Sequence, residues 1–289
     1  MSKRISRFLS TEKFLKTYLL SLNRKVFSQE ELAKIFDDNR SAWGIAVSTS
    51  TNKLIDRYVM RGVFRHVIMP GSEGEKSRYF FGEPNIYEIS TSLRSKSYIS
   101  HYTAMSLNDL TDQIPKTIYT AVELSQKNLG KSSLTQEAID SAFDEPQRRS
   151  LNTVIFNDFK IILLNSKYSG GTGIMKTGDY NITSLERTIL DCTVRPQYAG
   201  GCFSVLEGYR RALKLKMFSV NKLLSLLNKM DFIYPYEQAV GFYLEKAGYQ
   251  GKLLQILVET PKNYRFYLDY GLTDKEFNQK WQIFHPTGM

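Results

Sequence analysis

The sequence is poor in cysteine and histidine and has no long apolar run. It contains two cysteines, Cys192 and Cys202, and three histidines among its 289 residues. Two cysteines are too few for a disulfide framework, and these two do not lie at a metal-ligand spacing. No apolar stretch approaches the ~18 residues that a membrane-spanning helix needs. The composition therefore excludes a disulfide-rich scaffold and predicts a protein with no metal site and no transmembrane helix.

The amino terminus gives no sign of export. The first residues are basic but lack the apolar stretch and the small-residue cleavage site of a signal peptide, so the cytoplasm is the expected location. Neither an internal repeat nor a low-complexity tract is present. A chain of 289 residues has room for two domains of ordinary size, each with its own core.

Positive charge is concentrated near the amino terminus. The formal net charge is +10 at pH 7. Residues 1–82 hold 15 Lys and Arg against 8 Asp and Glu, an excess of seven, whereas residues 83–289 hold 24 against 21, an excess of three. A polyanion is the simplest partner for such an N-terminal part. Charge alone leaves open the alternative of a basic protein with no nucleic-acid role.

Residues 27–60 carry the pattern of two short helices. Ser28 and Glu31 have the spacing of a capping box, in which each side chain bonds the other residue's backbone amide. An apolar stripe on residues 32–36 follows the cap. A second apolar stripe over residues 43–59 recurs in steps of three and four, which predicts a longer helix with one buried face.

A hairpin pattern follows the two helices. Residues 63–68 and 76–81 are rich in β-forming residues and flank a Pro-Gly-Ser-Glu-Gly turn at residues 70–74. An amphipathic helix over residues 8–22 is expected to pack beneath the other two. Helices followed by a hairpin predict a winged helix-turn-helix, whose natural partner is double-stranded DNA.

The polar side of the second helix and the hairpin supply the candidate DNA contacts. In the major groove Asn can bond adenine and Arg or Lys can bond guanine, whereas Ser and Thr usually hold phosphates. A single such residue is more often a solvated surface position, so the set carries the hypothesis, and His66 fits a neutral surface histidine equally well. The candidates are Arg40, Ser41, Ser48, Thr49, Asn52, Lys53 and Arg57 in the helix, and Arg65, His66, Lys76 and Arg78 in the hairpin.

The composition changes after residue 82. Residues 83–96 are polar and without apolar periodicity, which predicts a linker between an N-terminal domain of residues 1–82 and a larger body of residues 97–289. Short strands and several helices without βαβ alternation predict an α+β fold for the body. Helices are expected over residues 98–110, 133–143, 183–192, 202–215, 220–229 and 236–247, and strands over residues 117–124, 152–156, 159–164, 253–258 and 264–270.

A glycine-rich segment over residues 169–178 invites comparison with a phosphate-binding loop. Gly173 and Gly178 have the spacing of that motif, but Asp179 and Tyr180 follow where the motif requires Lys and Ser or Thr. We therefore interpret the segment as a hairpin loop.

Three segments of the body carry short motifs in a fixed order. The first has Tyr-Ile-Ser-His-Tyr-Thr-Ala at residues 98–104 and Leu-Thr-Asp-Gln-Ile-Pro-Lys-Thr-Ile-Tyr at residues 110–119. The second is Ser-Leu-Glu-Arg-Thr-Ile-Leu-Asp-Cys at residues 184–192, and the third is Pro196 with Ala-Gly-Gly at residues 199–201. In order and separation they resemble the C-terminal domain of the AbiEi antitoxin family of type IV toxin–antitoxin systems. With the N-terminal pattern, the resemblance covers roughly residues 10–250.

The resemblance implies a bacterial autorepressor that binds repeats at its own promoter through the winged helix. It also implies that the C-terminal domain counters a nucleotidyltransferase-like toxin in an abortive-infection system that resists phage, generally without a stable toxin–antitoxin complex. The hairpin departs from the family, because it is long and carries an Arg65-His66 pair and a glycine-rich tip. The resemblance therefore leaves the preferred DNA sequence open.

The motif residues Ser100, His101, Glu186, Arg187 and Asp191 are interpreted as mainly structural. Arg187 and Asp191 lie four residues apart, the spacing of an ion pair on one helix face, whereas Glu186 and Asp191 do not. His101 has no cysteine or carboxylate at a ligand spacing, so a buried or half-buried histidine is expected.

Catalysis by this chain is not expected, and no cofactor is implied. A metal-dependent nuclease needs an Asp and then Glu-x-Lys on a neighbouring strand, whereas Glu259 and Lys262 have the wrong spacing and Pro261 disfavours a central strand. No Ser-His-Asp or Cys-His signature is present. Two alternatives to the autorepressor stay open: a nuclease that the winged helix delivers to DNA, and a protein-interaction module with a degenerate winged helix.

Overall fold

The described part of the chain is a mixed α+β structure, which confirms the predicted fold class. The computed structural model describes residues 2–125 and 134–289, with side chains from residue 11 onward. In these ranges the strands form two three-stranded sheets and one six-stranded sheet.

The N-terminal part combines three helices with a small antiparallel sheet. Its elements are α1 (Ser2–Ser21), β1 (Val26–Phe27), α2 (Gln29–Asp38), α3 (Thr51–Met60), β2 (Arg65–Met69) and β3 (Lys76–Phe80). The strand order is β1-β3-β2. Leu19, Leu32, Phe36, Leu54 and Tyr58 are all buried in one core between the three helices. The predicted capping box of α2 is present, since the Ser28 side chain accepts from the Glu31 amide and the Glu31 carboxylate accepts from the Ser28 amide.

The second predicted helix is shorter than its apolar spacing indicates. Residues 40–50 form turns before α3, and Val47, inside the predicted stripe, is 91% exposed. Trp43 is buried, and its ring meets those of Tyr18 and Phe36 edge-on. The prediction was wrong here because Gly44 adopts a positive φ of 64° and reverses the chain between Trp43 and α3.

The predicted linker contains a buried helix, α4 (Ile86–Ser92). Asn85 and Glu88 form its capping box, and Ile89 and Leu93 enter the core. The segment reads as polar because it is rich in Ser and Thr, yet their hydroxyls bond carbonyls of the same helix, such as that of Tyr87. Serine and threonine can be buried when their hydroxyls form such local hydrogen bonds. This segment is therefore not an exposed linker.

The body is built on a mixed six-stranded sheet with helices packed against it. Its strand order is β6-β7-β5-β4-β9-β8, in which β5 pairs with β7 and β4 with β9 in parallel and the other neighbours are antiparallel. A small sheet of order β10-β12-β11 closes the C-terminal end. The elements are β4 (Tyr98–Ile99), α5 (His101–Leu107), β5 (Thr117–Glu123), α6 (Gln136–Asp144), β6 (Thr153–Phe156), β7 (Phe159–Ser166), β8 (Ile174–Thr177), β9 (Tyr180–Thr183), α7 (Leu185–Val194), a 3₁₀ turn (Pro196–Tyr198), α8 (Cys202–Ala212), α9 (Val220–Met230), α10 (Tyr236–Lys246), α11 (Lys252–Glu259), β10 (Phe266–Tyr267), β11 (Lys275–Asn278) and β12 (Ile283–Pro286).

Most predicted elements of the body are present, with two errors of type. The hairpin at residues 153–166 forms as expected, with Asn157 at a positive φ of 49° in its turn. Residues 98–110 contain a short strand before the helix. Residues 253–258 are helical rather than extended, because Leu253, Leu254, Leu257 and Val258 recur at helical spacing and pack onto the core. The predicted start of α6 at Ser133 lies outside the described residues.

The N-terminal sheet and the body share one apolar cluster. Val26, Met69 and Phe80 pack with Ile89 of α4 and Val154 of β6. The hairpin tip also joins the edge of the large sheet, where Gly71 forms an antiparallel bridge to Val154 and the Ile155 amide donates to the Pro70 carbonyl at 2.9 Å. The glycine-rich tip of the predicted wing therefore faces the body of the same chain.

Candidate nucleic-acid interface

The exposed face of α3 carries Asn52, Lys53 and Arg57. Leu54, Ile55 and Tyr58 point the other way, into the core. Burial of Leu54 and Ile55 on one side of a ten-residue helix fixes which side chains can meet a partner. The Gln29 amide at the start of α2 donates to the Asn52 side-chain oxygen at 3.1 Å, so α2 holds Asn52 in place. This face therefore brings together three of the predicted contacts on one rigid element.

Arg40 is a structural residue of the turn before α3 rather than a residue aimed at a groove. Its guanidinium donates to the carbonyls of Ala46 and Thr49, both at 2.9 Å, to Asp37 at 2.7 Å and to Thr51 at 3.1 Å. The hydrogen bond from Arg40, with one from Thr51, lowers the pKa of Asp37. These hydrogen bonds stabilise the turns of residues 40–50, where the sequence predicts a continuous helix.

Ser41, Ser48 and Thr49 lie in this turn and not on a helix. Ser41 and Ser48 are exposed, and Thr49 is half-buried. The predicted set of helical contacts therefore divides into the α3 face and a turn that precedes it.

The hairpin presents Arg65 and His66 on its outer side. Arg65 pairs with Glu83 at 3.1 Å and lies over the Phe80 ring at 5.4 Å. His66 stacks on Tyr79 with ring centroids 4.5 Å apart, and its Nε2 lies 2.6 Å from the Ser77 hydroxyl. Both side chains are exposed, so neither contact removes them from solvent.

Arg78 turns inward, in contrast to its predicted role in the wing. Its guanidinium donates to the Ser92 carbonyl at 3.1 and 2.7 Å and to the Ser77 carbonyl at 2.7 Å. The last carbonyls of a helix lack partners inside the helix, and Arg78 supplies one at the end of α4. This half-buried residue therefore joins the hairpin to α4, while Lys76 stays at the surface of a neighbouring groove.

The predicted Arg187–Asp191 pair forms, and Arg187 is fully buried. Its Nε donates to Asp191 Oδ1 at 2.7 Å, and its Nη1 donates to the Thr172 carbonyl at 2.6 Å and the Ser169 hydroxyl at 3.0 Å. Burial opposes the positive charge, but Asp191, Tyr98 and Glu123 together outweigh it and raise the pKa of Arg187. A Cβ on Gly173, whose φ is 71°, would lie 2.8 Å from the Cβ of Arg187. The glycine-rich segment therefore packs over the Arg187 side chain, and a glycine at position 173 leaves room for it.

The other motif residues also make internal contacts. Glu186 accepts from the Ser219 amide at the start of α9 at 3.1 Å, so it ties α7 to α9 without an ion pair to Asp191. His101 is buried, and its Nδ1 lies 2.9 Å from the Ser100 hydroxyl. Burial, with Arg195 and Arg187 nearby, lowers the pKa of His101 to about 3, so the ring is neutral at pH 7. The cap of α7 is Ser184, whose hydroxyl accepts from the Arg187 amide.

The segment that a nuclease hypothesis would require has a different structure. Glu259 ends α11, and the Lys262 ammonium donates to the carbonyls of Leu257, Val258 and Thr260. Lys262 therefore caps a helix at the position where the hypothesis needs a strand.

The structure adds a polar groove that the sequence did not indicate. It has a volume of about 990 Å³ and lies between α2, β3, α4 and the β8–β9 hairpin. Lys96 and Lys176, which reach it from residues far apart in the sequence, were not among the predicted contacts. No linear pattern could have found them, because the groove exists only once the two halves have packed together.

Two searches of the described residues bear on other functions. No group of three or more His, Cys, Asp and Glu in residues 2–125 and 134–289 is placed to hold a metal ion. Within the same residues, no helix is long and apolar enough to cross a membrane.

Comparison of the sequence with known protein families and with curated proteins finds no match. The resemblance to the AbiEi antitoxins therefore stays a prediction carried by the motifs alone.

Proposed function

We propose that this protein binds double-stranded DNA through α3 and acts as an autorepressor. The observation that carries the proposal is the exposed face of α3, which presents Asn52, Lys53 and Arg57 together. The opposite face of the helix is buried in the core. Asn and basic side chains on one helix face suit the base edges and phosphates of a major groove. The N-terminal excess of positive charge favours the same partner.

The first experiment compares DNA binding by wild-type protein and by the double variant Lys53→Glu/Arg57→Glu. Charge reversal should weaken binding to the upstream region of the gene by on the order of 100-fold, since each contact to a base or phosphate contributes about 1–3 kcal/mol. Fluorescence anisotropy at about 0.15 M KCl measures the change. The matched control is Lys222→Glu/Lys229→Glu, on the exposed side of α9, which alters net charge equally and should change the affinity little.

A second comparison tests the sequence-specific binding that autorepression requires. Wild-type protein should bind the upstream region more tightly than a random-sequence duplex, and its affinity should fall steeply with salt as Lys and Arg displace counterions. Equal affinity for both duplexes would overturn the autorepressor assignment. Equal affinity of the α3 double variant and wild type would instead favour a protein-interaction module.

We further propose that the body supplies antitoxin activity against a nucleotidyltransferase-like toxin. The support is the order of the motifs that contain Ser100 and Arg187, the second of which joins α7 to the segment before β8 through Ser169 and Thr172. Co-expression with a nucleotidyltransferase-like product of a neighbouring gene should restore growth that the toxin alone stops. Failure to restore growth with a stably expressed antitoxin would contradict this half of the proposal.

A further inference from the structure

The groove beside α3 is walled by both halves of the chain. One wall is α2 with the start of β3, and the other is the segment after α4 with the β8–β9 hairpin. Seven cations line it: Arg24, Lys25, Lys76, Arg78, Arg94, Lys96 and Lys176. Arg94, Lys96 and Lys176 belong to the segments that follow residue 82, so the positive surface extends beyond the N-terminal part.

Three of these cations are available to a ligand. The side chains of Lys76, Lys96 and Lys176 form neither a hydrogen bond nor an ion pair with any other residue in the described ranges. By contrast, Arg24 is paired with Glu31 at 2.7 Å, and Arg94 donates to the Asn165 side chain at 2.8 Å. Lys76 stands on one wall and Lys96 and Lys176 on the other, which suits a chain of charges better than a single small anion.

Acidic residues also line the groove, and much of their charge is already engaged. Glu31 accepts from Arg24 and from the Ser28 amide at the α2 cap. Glu88 lies buried on the floor, and burial raises its pKa, with the Asp179 carboxyl adding to the effect. Glu30 and Glu75 are exposed at the rim. The lysines of the walls therefore meet a ligand before the buried Glu88 does, whereas Glu30 and Glu75 reduce the positive potential at the rim.

The groove is continuous with the candidate recognition face, because Asn52 of α3 is part of its lining. A duplex seated on α3 would carry one of its phosphate strands toward this opening. We infer that the groove holds the sugar-phosphate backbone of DNA next to the site bound by α3, with Lys96 and Lys176 of the body as phosphate contacts. This inference rests on the proposed function, and it makes the body part of the DNA interface.

The salt dependence of binding tests the inference. Each phosphate contact contributes about 0.9 to the slope of log affinity against log salt concentration. The double variant Lys96→Gln/Lys176→Gln, titrated as the full-length protein with a random-sequence duplex, should therefore lose about 1.8 from that slope. The control Lys222→Gln/Lys229→Gln removes the same charge from α9 and should keep the wild-type slope.

Crosslinking shows whether the groove meets DNA directly. Ser95 is exposed in the lining of the groove beside Lys96, and the native cysteines are both buried. Ser95→Cys carrying an azidophenacyl photocrosslinker should label DNA at positions flanking those protected by α3. The same reagent on Asn228→Cys, exposed on α9, should give no crosslink.

The outcomes separate this inference from the proposed function. An unchanged slope for the Lys96 and Lys176 variant, with no crosslink from residue 95, would overturn the groove assignment while DNA binding through α3 stands. If wild-type protein binds no duplex at all, the proposed function fails and the groove assignment with it. A reduced slope together with a flanking crosslink supports both.

Discussion

Arg187 shows how a charged residue can be a core residue. Its side chain is fully buried and donates hydrogen bonds to the Asp191 carboxylate, the Thr172 carbonyl and the Ser169 hydroxyl. The Ser169 hydroxyl in turn donates to Glu123. Removing one partner of a buried ion pair lowers the stability of the fold strongly, because the remaining partner keeps a charge that water cannot solvate.

We expect Asp191→Asn to lower the free energy of unfolding by about 3 kcal/mol, since Arg187 would lose its carboxylate while staying buried. Urea unfolding followed by circular dichroism measures the loss. The control is Glu207→Gln, which removes the surface pairs with Arg210 and Arg211, both at 3.6 Å, and should cost less than about 1 kcal/mol. Equal losses in the two variants would show that burial of the pair is irrelevant.

Glu88 and Asp179 place two carboxyl groups together at the floor of the groove. Glu88 Oε1 and Asp179 Oδ1 are both buried and accept no hydrogen bond from the described residues. Burial raises the pKa of Glu88 above its ordinary value of 4.5, and Asp179 adds to this, while the Asn85 amide and Lys25 oppose it. The folded protein therefore holds the Glu88 proton more tightly than the unfolded chain does.

This predicts a defined pH dependence. Stability should fall as the pH rises from 4.5 through the raised pKa of Glu88, because the folded state must give up a proton that the unfolded chain has already lost. Glu88→Gln lacks that proton and can still accept from the Asn85 amide, so it should be more stable than wild type at about pH 7.5 and lose the advantage near about pH 4. The urea unfolding midpoints of wild type and Glu88→Gln at both pH values measure this difference in stability. The control is Glu145→Gln, at an exposed position. An advantage independent of pH would contradict the assignment.

At the scale of single elements, the helix caps offer a matched pair. The Ser28 hydroxyl accepts from the Glu31 amide at the start of α2, whereas the Ser50 side chain at the start of α3 makes no capping hydrogen bond. A capping serine stabilises a helix by about 1 kcal/mol through that bond.

Ser28→Ala should therefore lower the free energy of unfolding by about 1 kcal/mol, and Ser50→Ala should change it much less. Chemical denaturation of both variants measures the difference. Comparable losses would mean that the backbone geometry of the cap, and not the hydroxyl, determines its contribution.

Some elements were predictable because their signals are local. The α2 cap needs only Ser28 and Glu31, and the β6–β7 hairpin needs only alternating residues around a turn. The start of α3 and the helix α4 were not predictable in this way. Arg40 bonds atoms up to eleven residues away, and α4 is buried only because two sheets meet around Ile89.

The candidate DNA contacts also divide into those that local spacing predicts and those that depend on distant parts of the chain. The exposure of Asn52, Lys53 and Arg57 follows from helical spacing against Leu54 and Tyr58. The inward turn of Arg78 and the docking of the hairpin tip on β6 depend on partners in α4 and β6 that no local pattern names.

For the whole molecule, the shared cluster around Phe80, Ile89 and Val154 makes the two halves interdependent. The chain has two tryptophans, Trp43 in the N-terminal core and Trp281 in the C-terminal core, and both are buried. Each can report on the unfolding of its own half.

In Trp43→Phe and in Trp281→Phe, each with one remaining tryptophan, we expect the fluorescence midpoint to coincide with the circular-dichroism midpoint of the same variant, as a cooperative transition requires. Adding Phe80→Ala to either should lower both midpoints together, since removing a buried phenyl ring costs about 3–5 kcal/mol. A lowered midpoint for Trp43 alone would show that the halves unfold separately.

The sequence by itself determined the α+β class, the capped helix α2, the polar face of α3 and the Arg187–Asp191 spacing, because each depends on residues a few positions apart. Only the tertiary structure decided that the expected linker is a buried helix, that Arg78 bonds inward and that Lys96 and Lys176 share a groove with Asn52. Those features require segments distant in the chain to meet. Burial, hydrogen-bond satisfaction and the sum of charges over a surface act between such segments, and hence appear only after folding.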